Sequence, residues 1–107
     1  MKLCVNLKLV KHVHWIWVVI SHTTKQFRKL LAGLPKEVRQ QAREMYALWA
    51  ATPWHASLQF KRIHAIKPIY SARINKDWRV VCVRNGDTVI WYWVGSHADY
   101  DTLIKKL

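Results

Sequence analysis

The chain has 107 residues and a net charge of +12, which comes from 18 Lys and Arg residues against six Asp and Glu residues. Hydrophobic residues make up 51% of it and seven residues are Trp, which excludes a disordered chain, and the length allows one domain with one modest core. So large an excess of positive charge favours a polyanionic partner such as nucleic acid, although a basic surface that only maintains solubility is the alternative.

The two cysteines, Cys4 and Cys82, are too few and too far apart for a disulfide framework or a cysteine-based zinc site. Cys82 lies within an apolar run and is expected to be a small buried side chain. The simplest compartment for such a chain is the reducing cytoplasm.

Residues 1–20 do not follow the pattern of the rest of the chain. Lys2, Lys8 and Lys11 precede the apolar run of residues 13–20, which is far shorter than the roughly 20 residues that span a bilayer. No small-residue cleavage site follows the run, so we expect neither a secretory signal nor a membrane anchor. We interpret residues 1–20 as an N-terminal extension of uncertain role, either an added edge strand or the product of an upstream start codon. Residues 21–107 are interpreted as a single domain.

Two helices are predicted next. Thr23 or Thr24 can cap a first helix that runs to about Leu31, and Gly33 ends it. Pro35 then stands in the first turn of a second helix, where its missing N–H costs nothing. The second helix continues through about residue 51, because four apolar side chains repeat at helical spacing: Val38, Ala42, Met45 and Trp49.

A series of β-prone runs follows, separated by turn residues. Asn85-Gly86 is the clearest turn, because a tight primed turn needs positive φ at its central positions. The run after it is apolar on both faces, as expected of a central strand. Strands are predicted over residues 58–64, 68–74, 78–84 and 88–94, and a short helix over residues 98–107. Two N-terminal helices followed by an antiparallel meander define an α+β domain.

Metal-dependent chemistry is not expected. The six carboxylates are scattered along the chain: Glu37 and Glu44 in the second helix, Asp77 and Asp87 in turns, Asp99 and Asp101 near the end. The six histidines lack zinc-ligand spacing, and a metal held by His97 with the last two aspartates is a minor alternative. No Gly-x-Ser-x-Gly turn is present, and we expect no cofactor.

RNA cleavage without a metal needs only cations at the phosphate and groups that transfer two protons. Arg73 and Arg79 lie on adjacent predicted strands around a short turn, so both could reach one phosphate. His97 follows the last strand and suits proton transfer, while Tyr100 could position the phosphate or donate a proton. The alternatives are that the arginines are ordinary strand residues, that the histidine caps a helix and that the tyrosine packs.

Other side chains are candidates for holding RNA. Lys61, Arg62 and His64 form a basic edge that fits contact with a nucleic-acid backbone, or simply a solvated strand face. Trp54 and Trp78 lie next to loops and are the better candidates for stacking on bases. Trp49, Trp91 and Trp93 are expected in the core by their helical or strand positions.

Five segments together resemble the RelE/ParE superfamily of type II toxins, in particular its RelE/ParE-like or HigB-like subgroup. The segments are residues 34–38, 53–61, 68–74, 78–79 and 91–100. The resemblance covers roughly residues 23–104 in unbroken order, and it is the set rather than any one segment that is specific. It implies two helices packed on a curved antiparallel sheet, and a cognate antitoxin that wraps and neutralises the toxin.

Within the ribosome-dependent RNase branch, the resemblance matches Arg73, Arg79 and Tyr100 to functional positions of the family. His97 matches the residue that follows the glycine-ended strand. The implied activity is that of an mRNA interferase that inhibits translation by metal-independent transesterification in the cytoplasm. Its implied partners are mRNA and the ribosome, with operator DNA reached only through the antitoxin complex.

The chain also departs from the family. Ser71 stands where RNase toxins can carry paired lysines, and the glutamate base of some members has no counterpart in this sequence. Two other functions therefore stay open: a ParE-like inhibitor of DNA gyrase, and an inactive relative that only binds its partner and DNA.

Overall fold

A single six-stranded sheet organises the part of the chain that the computed structural model describes, residues 5–7 and 19–107. Its elements in chain order are β1 (Val5–Leu7), β2 (Val19–Thr23), α1 (Lys25–Ala32), α2 (Lys36–Ala51), β3 (Lys61–Arg62), β4 (Ile69–Asn75), β5 (Trp78–Asn85), β6 (Thr88–Ser96) and α3 (His97–Lys106). The predicted α+β class, with two helices before the meander and a short helix at the end, is confirmed.

The strands lie in the order β1-β2-β6-β5-β4-β3. Strands β3 to β6 form the predicted antiparallel meander, and β6 lies inside the sheet between β5 and β2. The pairing of β2 with β6 is parallel, so the sheet as a whole is mixed. Val19 and Ile20, which the sequence pattern places in the extension, are the first residues of β2, whereas most of the apolar run lies outside the described residues.

Both N-terminal helices pack on one face of the sheet. Thr24 caps α1, since its Oγ1 accepts a 3.0 Å hydrogen bond from the Phe27 N–H, and Gly33 follows the last residue of the helix. Pro35 precedes α2 as its N-cap residue, one position before its predicted place. The four predicted apolar residues of α2 are buried, and the fully buried Trp49 ring meets the Trp91 ring edge-on with 5.0 Å between centroids.

A β-bulge in β6 puts Trp91 and Trp93 on opposite faces of the sheet, although the strand pattern predicts that they share the core. Val81 pairs with Trp93 and the next residue of β5, Cys82, pairs with Trp91, so Tyr92 has no partner in β5. The extra residue reverses the alternation of side chains along the strand. Trp91 therefore lies in the core beneath the helices, while Trp93 is half-buried on the opposite face.

Two local predictions were wrong in detail. The predicted strand over residues 58–64 is reduced to Lys61–Arg62, because Ala56–Leu58 form a 3-10 turn and Gln59 adopts a left-handed φ of 47°. The β5–β6 hairpin is present, but its two loop residues are Gly86 and Asp87. Only Gly86 there has positive φ, at 64°, and a type II′ turn requires positive φ at one central position only.

Helix α3 covers the opposite face of the sheet. Ser96 caps it, since its Oγ accepts a 3.1 Å hydrogen bond from the Asp99 N–H. Tyr100 packs from this helix onto Ile69 and Val81 in a second, smaller apolar cluster. No helix among the described residues is long and apolar enough to cross a membrane.

Strand β2 is expected to contribute to stability through a buried polar contact. The Trp91 Nε1–H donates a 3.1 Å hydrogen bond to the Oγ of Ser21, which is fully buried. Ser21→Ala leaves the indole N–H unpaired, so the free energy of unfolding should fall by about 1 to 3 kcal/mol in denaturant titrations. Gln26→Ala, on the exposed surface of α1, is the control and should change it by less than about 0.5 kcal/mol. Equal stability of the two variants would contradict an integral role for β2.

Candidate active site

A cleft of about 520 Å³ opens between α3 and the sheet surface formed by β3, β4 and β5. Strands β3, β4 and β5 all contribute residues to the lining, and α3 contributes one side of its first two turns. The polar lining residues are Gln59, Lys61, Arg62, Ser71, Arg73, Arg79, His97, Tyr100 and Asp101. All four residues predicted to be catalytic, Arg73, Arg79, His97 and Tyr100, thus line one cleft.

Arg73 and Arg79 are directly opposite each other on β4 and β5, both half-buried. The Arg79 guanidinium is held at the β4–β5 turn, where its Nη1 donates to the carbonyl oxygens of Asn75 (2.6 Å) and Trp78 (3.1 Å). Within residues 19–107, neither guanidinium forms an ion pair with a carboxylate. Two like charges placed across a strand pair repel each other, and guanidinium groups in such a position can bind an anion.

The electrostatic environment of Arg79 also favours the binding of an anion. Burial is the main cause that lowers the pKa of Arg79, and the positive charge of Arg73 lowers it further. An arginine stays protonated in proteins despite such a shift, so the cost is borne as unfavourable electrostatic energy. An anion bound between the two guanidinium groups would relieve that cost.

Ser71 holds Tyr100 in the cleft. Their hydroxyl groups lie 2.9 Å apart in a hydrogen bond, and both side chains are buried. Ser71 is two residues before Arg73 on β4 and therefore lies on the same face of the strand. The sequence prediction overlooked this role, because the two-residue spacing of Ser71 and Arg73 indicates a shared strand face but not the contact with Tyr100.

His97 is paired with Asp101, which the sequence analysis placed beside it only as a minor alternative for holding a metal. The His97 Nδ1 lies 3.2 Å from the Oδ2 of Asp101, one turn along α3, with the two side chains 47% and 57% exposed. A carboxylate on Nδ1 orients the ring and leaves Nε2 available. The spacing of four residues in a predicted helix could have indicated this pair.

The His97 ring also packs edge-on against Tyr100, with 6.0 Å between ring centroids. Among residues 5–7 and 19–107, no three His, Cys, Asp or Glu side chains come together in a way that could hold a metal ion. The ionisable groups that line the cleft are four cations, a phenol and an imidazole–carboxylate pair.

The four residues predicted to bind RNA fall into different environments. Lys61 is exposed at the rim of the cleft. The Arg62 guanidinium donates to the carbonyl oxygens of His64, Ile66 and Lys67. The His64 Nδ1 accepts from the N–H groups of Ile66 (3.0 Å) and Lys67 (2.8 Å). Arg62 and His64 thus shape the loop of residues 63–68.

Trp78 lies on the other face of the sheet from the arginines. It packs at the edge of the core beneath α1 and α2, because neighbouring residues of a strand point to opposite faces. Trp54, the other candidate for stacking, is 57% exposed, and its ring lies 5.0 Å from that of Phe60. The structure thus brings neither tryptophan into the cleft lining.

Solved structures of the same fold were found among toxins. YafQ from E. coli strain BL21(DE3) superposes with a TM-score of 0.63 at 15% identity, covering 77% of this chain and 97% of YafQ. RelE in the RelE-RelB complex of the archaeon Pyrococcus horikoshii OT3 gives a TM-score of 0.60 at 19% identity, covering 73% and 93%. The RelB-RelE antitoxin-toxin complex of Methanococcus jannaschii gives 0.58 at 23% identity, covering 75% and 95%. These similarities establish a shared fold.

Comparison with models of protein families identifies the family of this chain. No curated protein sequence matches the chain at a significant level. The family model of the ParE-like toxin domain matches residues 36–102, which include α2, the whole meander and the first part of α3. All the polar residues that line the cleft lie within this matched range. The chain therefore belongs to the ParE-like toxin domain family of the RelE/ParE superfamily.

Proposed function

We propose that this protein is the toxin of a type II toxin-antitoxin system and that it cleaves mRNA on the ribosome. The observation that carries the proposal is the Arg73–Arg79 pair, two half-buried cations with no carboxylate partner among residues 19–107, facing a cleft with His97 and Tyr100. A phosphodiester supplies the negative charge that this pair lacks.

The proposed reaction is a transesterification that needs no metal. The 2′-oxygen of one nucleotide attacks the adjacent phosphorus and the bond from phosphorus to the 5′-oxygen breaks. The products are a 2′,3′-cyclic phosphate and a 5′-hydroxyl. One proton must leave the 2′-hydroxyl and one must reach the 5′-oxygen, so the reaction needs a general base and a general acid.

The residues of the cleft divide these tasks. Arg73 and Arg79 stabilise the charge that develops on the phosphoryl oxygens, which is usually the largest single contribution to such a reaction. His97 carries one of the two proton transfers at Nε2, while Asp101 on Nδ1 orients the ring. Tyr100, whose hydroxyl is fixed by Ser71, orients the phosphate.

Contacts beyond the cleaved phosphate are proposed for the exposed edge of the sheet. Lys61 is placed to contact the RNA backbone, and Arg62 and His64 act by shaping the loop of residues 63–68 next to it. The net charge of +12 suits the ribosome, a large polyanion, as the setting for the reaction.

A cognate antitoxin is the proposed protein partner. RelE proteins of the same fold were solved in complex with RelB, and the unneutralised cations of the cleft favour a partner with acidic side chains. Operator DNA would be contacted only through this complex, and the proposed location is the cytoplasm.

The proposed function predicts broken transcripts in arrested cells. After induced expression, 5′ ends mapped on ribosome-bound mRNA should accumulate at sites within codons and carry 5′-hydroxyl groups. Intact transcripts in arrested cells would overturn the proposal, and DNA breaks in their place would indicate a gyrase inhibitor instead.

Loss of either arginine should remove most of the activity. We expect Arg73→Ala and Arg79→Ala each to lower the rate of cleavage of ribosome-bound mRNA by about 10²- to 10³-fold, the usual cost of one group that stabilises developing charge. Lys29→Ala, an exposed change on α1 at the opposite face, removes the same net charge and should retain nearly full activity. Equal losses in all three variants would indicate a general charge effect and contradict the assignment.

A second pair of variants distinguishes the role of Tyr100 from that of Ser71. Tyr100→Phe removes the hydroxyl proposed to orient the phosphate, and we expect the cleavage rate to fall by about 10²-fold, as a misplacement of about 1 Å does. Ser71→Ala keeps that hydroxyl and removes only its anchor, so the loss should be smaller. If the two variants lose activity equally, the phenol acts only through its hydrogen bond to Ser71. Circular dichroism and thermal melting of both variants control for folding.

A further inference from the structure

Position 95 requires glycine because a side chain would not fit there, and not because of its backbone conformation. A Cβ atom built at this buried residue would lie 2.6 Å from Cζ2 and 2.7 Å from Cη2 of the Trp93 indole. Real Cβ contacts essentially never fall below 3.0 Å, and φ of Gly95 is outside the left-handed region. The indole of Trp93 therefore lies over the Gly95 backbone, in the volume that any other residue would fill.

The bulge at Tyr92 brings this contact to the cleft side of the sheet. Gly95 is directly opposite Arg79 in the β5–β6 register, and Trp93 is opposite Val81. The Trp93 ring thus leans along β6 toward the strand position that faces Arg79.

Trp93 packs against Tyr100 without lining the cleft itself. Its ring lies 6.5 Å from the Tyr100 ring, within the range of favourable aromatic pairs, and both belong to the apolar cluster beneath α3. Tyr100 is consequently held by Trp93, by the edge of His97 and by the hydroxyl of Ser71.

We propose that Trp93 is a positioning residue, and that the missing side chain of Gly95 lets it set Tyr100 and the start of α3 against the Arg73–Arg79 pair. This inference rests on the proposed function. It goes further in assigning part of the activity to two residues that do not touch RNA. A displaced indole would move Tyr100 without removing any group that lines the cleft.

Gly95→Ala tests the proposal with two readouts, cleavage kinetics on ribosome-bound mRNA and fluorine NMR of protein labelled with fluorotyrosine. We expect kcat to fall by about 100-fold with little change in KM, because a misplacement of about 1 Å has this effect. The Tyr100 resonance, identified by its absence in Tyr100→Phe, should shift. Gly33→Ala is the matched control, since a Cβ there meets the Leu30 carbonyl oxygen at an ordinary 3.5 Å.

Rescue separates positioning from general damage. Trp93→Phe lacks the two indole atoms that a Cβ at position 95 would meet. In that background, Gly95→Ala should change kcat by no more than about twofold and leave the Tyr100 resonance in place, as expected when the two sites act only through each other.

Each outcome of these experiments either supports or overturns the positioning role of Trp93. A 100-fold loss from Gly95→Ala in both backgrounds would overturn the role of Trp93. If Gly95→Ala alone fails to fold, the double variant must fold and show the Tyr100 resonance of Trp93→Phe, and its failure to do so would overturn the proposal. Absence of mRNA cleavage by the unaltered protein would overturn the proposed function, whereas the NMR coupling among Gly95, Trp93 and Tyr100 is measured without RNA.

Discussion

The arrangement of both faces of the sheet depends on one extra residue in β6. The bulge at Tyr92 lets Trp91 point into the core beneath α1 and α2 while Trp93 and Gly95 point toward α3. With strict alternation, residues 91, 93 and 95 would share one face. The bulge therefore places both Tyr92 and Trp93 against the smaller apolar cluster, while Trp91 stays in the larger one.

The two clusters serve different purposes. The larger one, with Trp49 and Trp91 at its centre, fixes the helices on the sheet and makes the strands a rigid platform. The smaller one fixes α3, and with it His97 and Tyr100, at a defined height above β4 and β5. A site built on strands that are held in this way can keep its side chains in position without help from a ligand.

The Arg73–Arg79 pair carries an evident electrostatic cost. Placing two cations in register across adjacent strands and partly burying them opposes folding, as the lowered pKa of Arg79 reflects. Such a cost is typical of functional sites, where a bound partner supplies the missing charge. Both proposed partners, RNA and an acidic antitoxin segment, would do so.

Much of the fold followed from local patterns in the sequence. Helix α2 was predictable because Val38, Ala42, Met45 and Trp49 repeat at helical spacing, and the β5–β6 hairpin because Asn85-Gly86 separates two β-prone runs. Of the site, Arg73 and Arg79 were predictable because strands joined by a short turn must pair near that turn. His97 and Tyr100 followed from their place just after the last strand.

Tertiary structure decided what local patterns do not encode. The face on which Trp93 lies depends on the register of β6 against β5, and a bulge is selected by how well both cores pack. The hydrogen bond between Ser71 and Tyr100 joins residues 29 positions apart. The hydrogen bonds of Arg62 and His64 to the loop of residues 63–68 depend on where the backbone carbonyl and amide groups of that loop lie. The sequence by itself determined the helices, the meander of β4 to β6 and the charges that they carry. The packed structure determined which side chains meet, because those contacts depend on the free energy of the whole core.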